Sequence, residues 1–105
     1  MTWKVEYFKE AQDDLKKMDK SVKIRALKVI EKVSENPLPR VEGGYGKPLE
    51  NYQYTKLSGY FKIRSGKFRI VYGLVRKEET MKIVVVAVRD DGTVYDIANK
   101  RINRE

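Results

Sequence analysis

In the run YFKIRSGKFRIVY (60–72), Lys62, Arg64 and Arg69 are cations set among alternating Phe and Ile residues. Arg89 and Tyr95 follow further along the chain. Side chains of these types suit one kind of chemistry. Guanidinium and ammonium groups grip and polarise phosphate oxygens, and a tyrosine ring stacks on an unpaired base. Composition narrows the choice further. The 105 residues contain no His and no Cys, so the usual neutral-pH base, the commonest zinc ligand, thiolate metal sites and disulfides are all excluded. Catalysis has to use Lys, Arg, Tyr, Asp, Glu, Ser or Thr. With 23 Lys plus Arg against 15 Asp plus Glu, the net charge of +8 favours polyanionic partners such as nucleic acid or an acidic protein segment.

A hairpin must position the three cations. Phe61 and Ile63 alternate with Lys62 and Arg64; after a tip at Ser65-Gly66 or Gly66-Lys67, Phe68, Ile70, Tyr72 and Leu74 alternate with Arg69, Val71 and Gly73, predicting two antiparallel strands. For any two-residue loop the paired residue numbers sum to an odd value, which puts Arg69 on the same face as Lys62 and Arg64. Like charges paired across a sheet are destabilising, so their concentration opposite an apolar face points to something negative at the site. The solvated outer face of a basic protein is the alternative reading.

The apolar run 83–88 reads as a central strand covered on both sides, which would deliver Arg89 to the sheet edge beside the hairpin. Asp91-Gly92 turns the chain, and Thr93 with Asp96 resembles a capping box opening a last helix through about Asn103, with Tyr95, Ala98 and Ile102 on one side. Tyr95 is then either a base-stacking ring or a core anchor for that helix.

The remaining elements precede the hairpin. Trp3, Val5 and Tyr7 predict a strand over 2–7. Ala11, Leu15 and Met18 predict a short helix from Lys9 to near Asp19, joined by a tight turn to an antiparallel second helix. Ser21 caps that helix in this reading; its stripe is Val22, Ala26, Val29, Ile30 and Val33, and it stops before Pro37. Residues 37–49 form a surface loop whose glycines make no nucleotide-binding P-loop, because Lys47 is followed by Pro48 and no helix begins there. The order is therefore strand, helix, helix, three antiparallel strands, helix: one α+β domain over 1–105. No run of about 18 apolar residues exists and the N-terminal stretch is charged throughout, so neither a membrane span nor a signal peptide is expected, and the chain reads as cytoplasmic.

Three segments carry a family resemblance: YFKIRSGKFRIVY (60–72), the preceding GKPL (46–49), and VRDDGTVYDIANKRI (88–102). Together they resemble the RelE/ParE toxin superfamily of type II toxin–antitoxin systems, and RelE most of all among its subgroups. The R-x-G-x-[YF]-R-[IV]-x-Y hairpin pattern is the most specific part. The resemblance implies two N-terminal helices packed on a twisted, mainly antiparallel four-stranded sheet, with a short C-terminal helix. It also implies a metal-independent endoribonuclease without cofactors that cleaves mRNA in the ribosomal A site by 2′-hydroxyl attack, neutralised by a cognate antitoxin.

Carried over by residue, Lys62 and Arg69 match lysine and arginine positions that bind the scissile phosphate. Arg89 matches an arginine linked to the leaving group, and Tyr95 a tyrosine that stacks on a base. Arg64 stands where RelE has a second lysine credited with proton abstraction, and arginine does not deprotonate in proteins. Lys62 is therefore the candidate base, with Arg64 and Arg69 gripping nonbridging oxygens. Two alternatives remain: a ParE-like inhibitor of DNA gyrase that acts through the helical hairpin without catalysis, and a noncatalytic RNA- or ribosome-binding module.

Overall fold

Hydrophobic alternation and strand formation coincide in the central hairpin, and the rest of the fold is built around it. The computed structural model describes residues 2–50, 56–88 and 93–104. In chain order the strands are β1 (Lys4–Tyr7), β2 (Lys47–Pro48), β3 (Tyr60–Ser65), β4 (Phe68–Val75) and β5 (Thr80–Val88), and the helices are α1 (Lys9–Lys16), α2 (Lys20–Ser34) and α3 (Thr93–Ile102). They form one five-stranded sheet in the order β1-β5-β4-β3-β2. β1 runs parallel to β5, and every other pairing is antiparallel. The class is the expected α+β; the strand beyond the four anticipated is β2, where the Gly/Pro-rich loop meets β3 for two residues.

α1 and α2 cover one face of the sheet. Ala11 and Leu15 from α1, and Ala26, Ile30 and Val33 from α2, pack with Phe61, Ile63, Phe68, Ile70, Tyr72, Met81, Ile83 and Val86. α3 covers part of the opposite face, where Val94 and Ala98 pack with Leu57, Val71, Val84 and Val85. Each buried Val, Leu, Ile, Phe or Met among them contributes about 1.5–3 kcal/mol by leaving water. A bulge explains why 83–86 is apolar without alternation. Val71 pairs with Val85 and Tyr72 with Ile83, so Val84 has no partner on β4. That extra residue turns Val84 and Val85 toward α3, while Ile83 and Val86 stay on the α1/α2 side.

Helix boundaries differ in detail from the sequence reading. α1 stops at Lys16, before Asp19. The N-cap of α2 is Asp19, with no side-chain capping bond, and Ser21 lies inside the first turn; Lys17 to Asp19 complete the turn between helices, leaving Ser21 too late to cap. α2 ends ahead of Pro37 as that proline requires. The Asp91-Gly92 turn, and the chain that leads into α3, lie outside the described residues.

The loop after α2 is a built structure. The buried Tyr72 hydroxyl donates to the Pro37 carbonyl at 2.7 Å, Gly46 N–H donates to Leu38 and Tyr45 N–H to Asn36. Burial pushes the Tyr72 phenol well above its ordinary value, so it remains a donor. Gly46 has to be glycine for space: a Cβ there would stand 2.5 Å from the Tyr72 hydroxyl oxygen. Among the described residues, no helix is long and apolar enough to cross a membrane.

Candidate functional site

The hairpin turn is Gly66-Lys67, and Gly66 takes φ 55°, the positive value that a tight two-residue connection needs at its first position. With the tip so placed, Arg64 and Arg69 are direct cross-strand partners, Lys62 pairs with Val71, and Lys62 shares the face of Arg64 one pleat further on. On the other side of β3, Lys47 of β2 is the direct partner of Lys62. The face opposite the α1/α2 core therefore carries Lys47, Lys62, Arg64 and Arg69 together.

α3 brings the aromatic member. Val94 and Ala98 seat the helix, and the half-buried Tyr95 between them turns its ring toward β3, where Lys62 Nζ lies 5.8 Å from the ring centroid. A cation over a tyrosine face at this range contributes about 0.5–1 kcal/mol and orients both groups. Arg69 is oriented by the hairpin itself, since its Nη1 donates to the carbonyl oxygens of Gly66 at 2.7 Å and Phe68 at 2.9 Å. Its remaining donors have no hydrogen-bond partner among the described residues.

Five cations elsewhere among the described residues are ion-paired. Arg76 pairs with Glu42, Arg101 with Asp14, Arg104 with Glu10, Lys4 with Glu6 and Lys32 with Glu35. By contrast, among the described residues Lys47, Lys62, Arg64 and Arg69 have no carboxylate partner. Like charges gathered on one strand face cost stability unless solvent or a polyanion screens them.

Of the sequence candidates, Lys62, Arg64, Arg69 and Tyr95 are brought to one face of β3–β4. Arg89 lies outside the described residues; β5 ends at Val88, opposite Phe68 at the hairpin tip. Sequence reasoning missed Lys47, which it treated as a loop residue. The signal available was Pro48-Leu49 beyond it, an extended stretch that the β3 edge captures. No group of three or more Asp and Glu among the described residues is arranged to hold a metal ion.

The second ion-paired element sets the angle of α3. Asp14 of α1 accepts from Arg101 Nη1 at 2.8 Å and Nη2 at 3.0 Å, and also from Val86 N–H at 3.1 Å. Arg101 Nη1 donates in addition to the Val84 carbonyl. This bidentate pair takes up the backbone groups on either side of the β5 bulge and ties α1, β5 and α3 together. Arg104 and Glu10 add a second contact between the same helices, and the hydrogen bond from Arg104 holds the Glu10 carboxyl down at about 2.

A helical pair packed on a small mixed sheet, with a cationic face beside a tyrosine, makes this a small α+β protein with a surface suited to polyanions. The family model described as ParE toxin of type II toxin–antitoxin system, parDE, matches residues 5–95. The chain belongs to that family and is a toxin of a type II toxin–antitoxin system of the RelE/ParE type. An Escherichia coli protein named as a RelE-like toxin is 24% identical over 102 residues, covering 97% of this chain and 99% of its own. Among solved structures, a chain from the toxin–antitoxin complex RelBE2 of Mycobacterium tuberculosis superposes with a TM-score of 0.71 at 27% identity, over 85% of this chain and 100% of that one. A mutant of the Escherichia coli toxin RelE in the free state gives 0.70 at 22% identity over 97% and 99%, a likeness of fold.

Proposed function

We propose that this toxin is a metal-independent endoribonuclease that cuts mRNA in the ribosomal A site. The observation that supports it most is the convergence of Lys62, Arg64 and Arg69 on one unneutralised face, with Tyr95 in contact with Lys62. Cleavage by the RNA's own 2′-hydroxyl needs a proton acceptor, charge on the phosphorane oxygens and charge at the departing 5′-oxygen. Arg64 and Arg69 grip the nonbridging oxygens. Lys62 in its neutral amine form takes the 2′-proton as the 2′-oxygen–phosphorus bond forms and the bond to the 5′-oxygen breaks, leaving a cyclic phosphate and a 5′-hydroxyl protonated from water. Arg89 meets the charge on the leaving oxygen, and Tyr95 holds the adjoining base so that attack is in line.

A base that stacks on Tyr95 competes with Lys62 for the ring, and the displaced amine swings to the ribose. Substrate binding and exposure of the base are thus one event. The cognate partner in this reading is an acidic antitoxin segment that covers the same basic face in the cytoplasm, in keeping with the net charge of +8 and with the RelBE complex among the matching structures.

The test is primer extension on a reporter mRNA after brief induction. Codon-registered breaks with the wild type that vanish with Arg69→Ala and Tyr95→Ala support the reading; an uncut message sinks it. The description of the matching family favours a second reading, a ParE-like inhibitor of gyrase without chemistry. That reading gains if growth inhibition survives loss of Lys62, Arg69 and Tyr95 but not changes on the exposed side of residues 9–35.

A further inference from the structure

A second lysine–tyrosine pair lies on the α2 side of the sheet. Lys32 Nζ of α2 is 5.6 Å from the centroid of the Tyr45 ring. Tyr45 is 44% exposed and its position is fixed by the loop, whose backbone bonds to Asn36 and Leu38 leave it little freedom. Between Tyr45 and the hairpin runs a groove of about 240 Å³ lined by Lys32, Arg40, Tyr45, Lys47, Lys62 and Arg64. Glu35, 3.5 Å from Lys32, is the one carboxylate ion-paired to any of these cations among the described residues. The groove also has apolar walls from α2 and β3; Tyr45 stands at one end and Lys62, which contacts Tyr95, at the other, an arrangement that fits a single strand with its phosphates on the cations and a base on Tyr45.

Resting on the ribonuclease reading above, the geometry points to a second nucleotide subsite: Tyr45 stacks an unpaired RNA base next to the scissile link, and Arg40 and Lys47 hold the phosphate that joins it to the nucleotide at Tyr95. RNA fits better than an acidic peptide, because a carboxylate chain gains nothing from the flat ring of Tyr45. The subsite supplies binding and register. The reacting atoms stay with Lys62, Arg64 and Arg69.

Cleavage of mRNA on programmed ribosomes, followed as rate against toxin concentration, tests the subsite. Tyr45→Ala and Arg40→Ala are expected to raise the half-maximal concentration about 5- to 50-fold while the saturating rate stays within about twofold, and Tyr45→Trp to restore the wild-type value. Ultraviolet crosslinking is expected to give an adduct at Tyr45 carrying message sequence, and one carrying only ribosomal sequence overturns the placement beside the scissile link. An unchanged half-maximal concentration, a fall in saturating rate like that of Lys62→Ala, or failure of Tyr45→Trp to restore binding overturns the subsite and leaves the ribonuclease reading standing. A wild-type protein that cuts no mRNA removes both.

Discussion

Lys62 Nζ stands 5.8 Å from the centre of the Tyr95 ring, so beside the packing of Val71 against Val94 and Ala98 the hairpin and the last helix meet through a cation–π contact on the cationic face. The two residues belong to different elements, and their meeting depends on how α3 is seated.

Tyr95 acts through its ring. Tyr95→Phe is expected to retain most cleavage of ribosome-programmed mRNA, whereas Tyr95→Ala lowers it about 5- to 150-fold, the range for losing one stacked base. Single-turnover rates measure both. Equal losses in the two variants would mean that the hydroxyl carries the effect.

Arg69 is both charged and anchored. Arg69→Ala should lower the saturating cleavage rate about 100- to 1,000-fold, as loss of a preorganised donor to a phosphorane does. Arg69→Lys should recover little of it, because one ammonium cannot bond Gly66 and Phe68 and also present a planar fork. Full rescue by lysine would show that net charge alone matters. Melting temperatures should change little in either variant.

Asp14 and Arg101 are 18% and 17% exposed, shielded enough for their loss to be felt. Asp14→Ala leaves the Arg101 guanidinium without its carboxylate and the Val86 N–H without its acceptor, and is expected to cost about 2–4 kcal/mol in urea unfolding. The Asp14→Leu/Arg101→Leu double variant should cost less than Asp14→Ala, because no lone charge remains. A double variant worse than either single change would refute the account. In each, the Lys62–Tyr95 contact should loosen, read as a fall in cleavage larger than the loss of folded protein.

Acid should release the outer clasp of α3. The Glu10 carboxyl, held by its hydrogen bond from Arg104 and by the nearby Arg101 charge, is lowered from its ordinary 4.5 to about 2. A depressed carboxylate contributes stability that is present above 4.5 and lost as the pH falls from there through about 2. The melting-temperature advantage of wild type over Glu10→Gln should therefore be constant above pH 5, and shrink away as the pH drops toward 2. A gap independent of pH would show that the pair contributes nothing through ionisation.

Tyr72 holds the loop that carries Tyr45. Tyr72→Phe removes the buried bond to the Pro37 carbonyl and should cost about 1–3 kcal/mol, with faster amide exchange at Gly46 and Tyr45. Unaltered exchange in the loop would mean that its own backbone bonds suffice.

Local patterning fixed much of this protein. Period-two alternation in 60–74 marks the hairpin, and its parity alone puts Lys62, Arg64 and Arg69 on one face, because side-chain direction in a strand depends only on odd or even position. The stripes of Ala11 with Leu15 and of Ala26 with Ile30 likewise mark the helices, since the spacing that buries them is the helical repeat. Tertiary structure decided what the spacing leaves open. Lys47 joined the site because β2 happens to find the β3 edge, a pairing with no periodic signature over two residues. Ser21 lost the capping position because the turn length between α1 and α2 set where the second helix starts. The parallel pairing of β1 with β5, the bulge at Val84 and the Asp14–Arg101 tie are contacts between distant segments that seat α3 so that Tyr95 lies over Lys62, and the bond from Tyr72 to Pro37 holds the loop that carries Tyr45. Faces are written in the order of residues; distances between faces are set by packing.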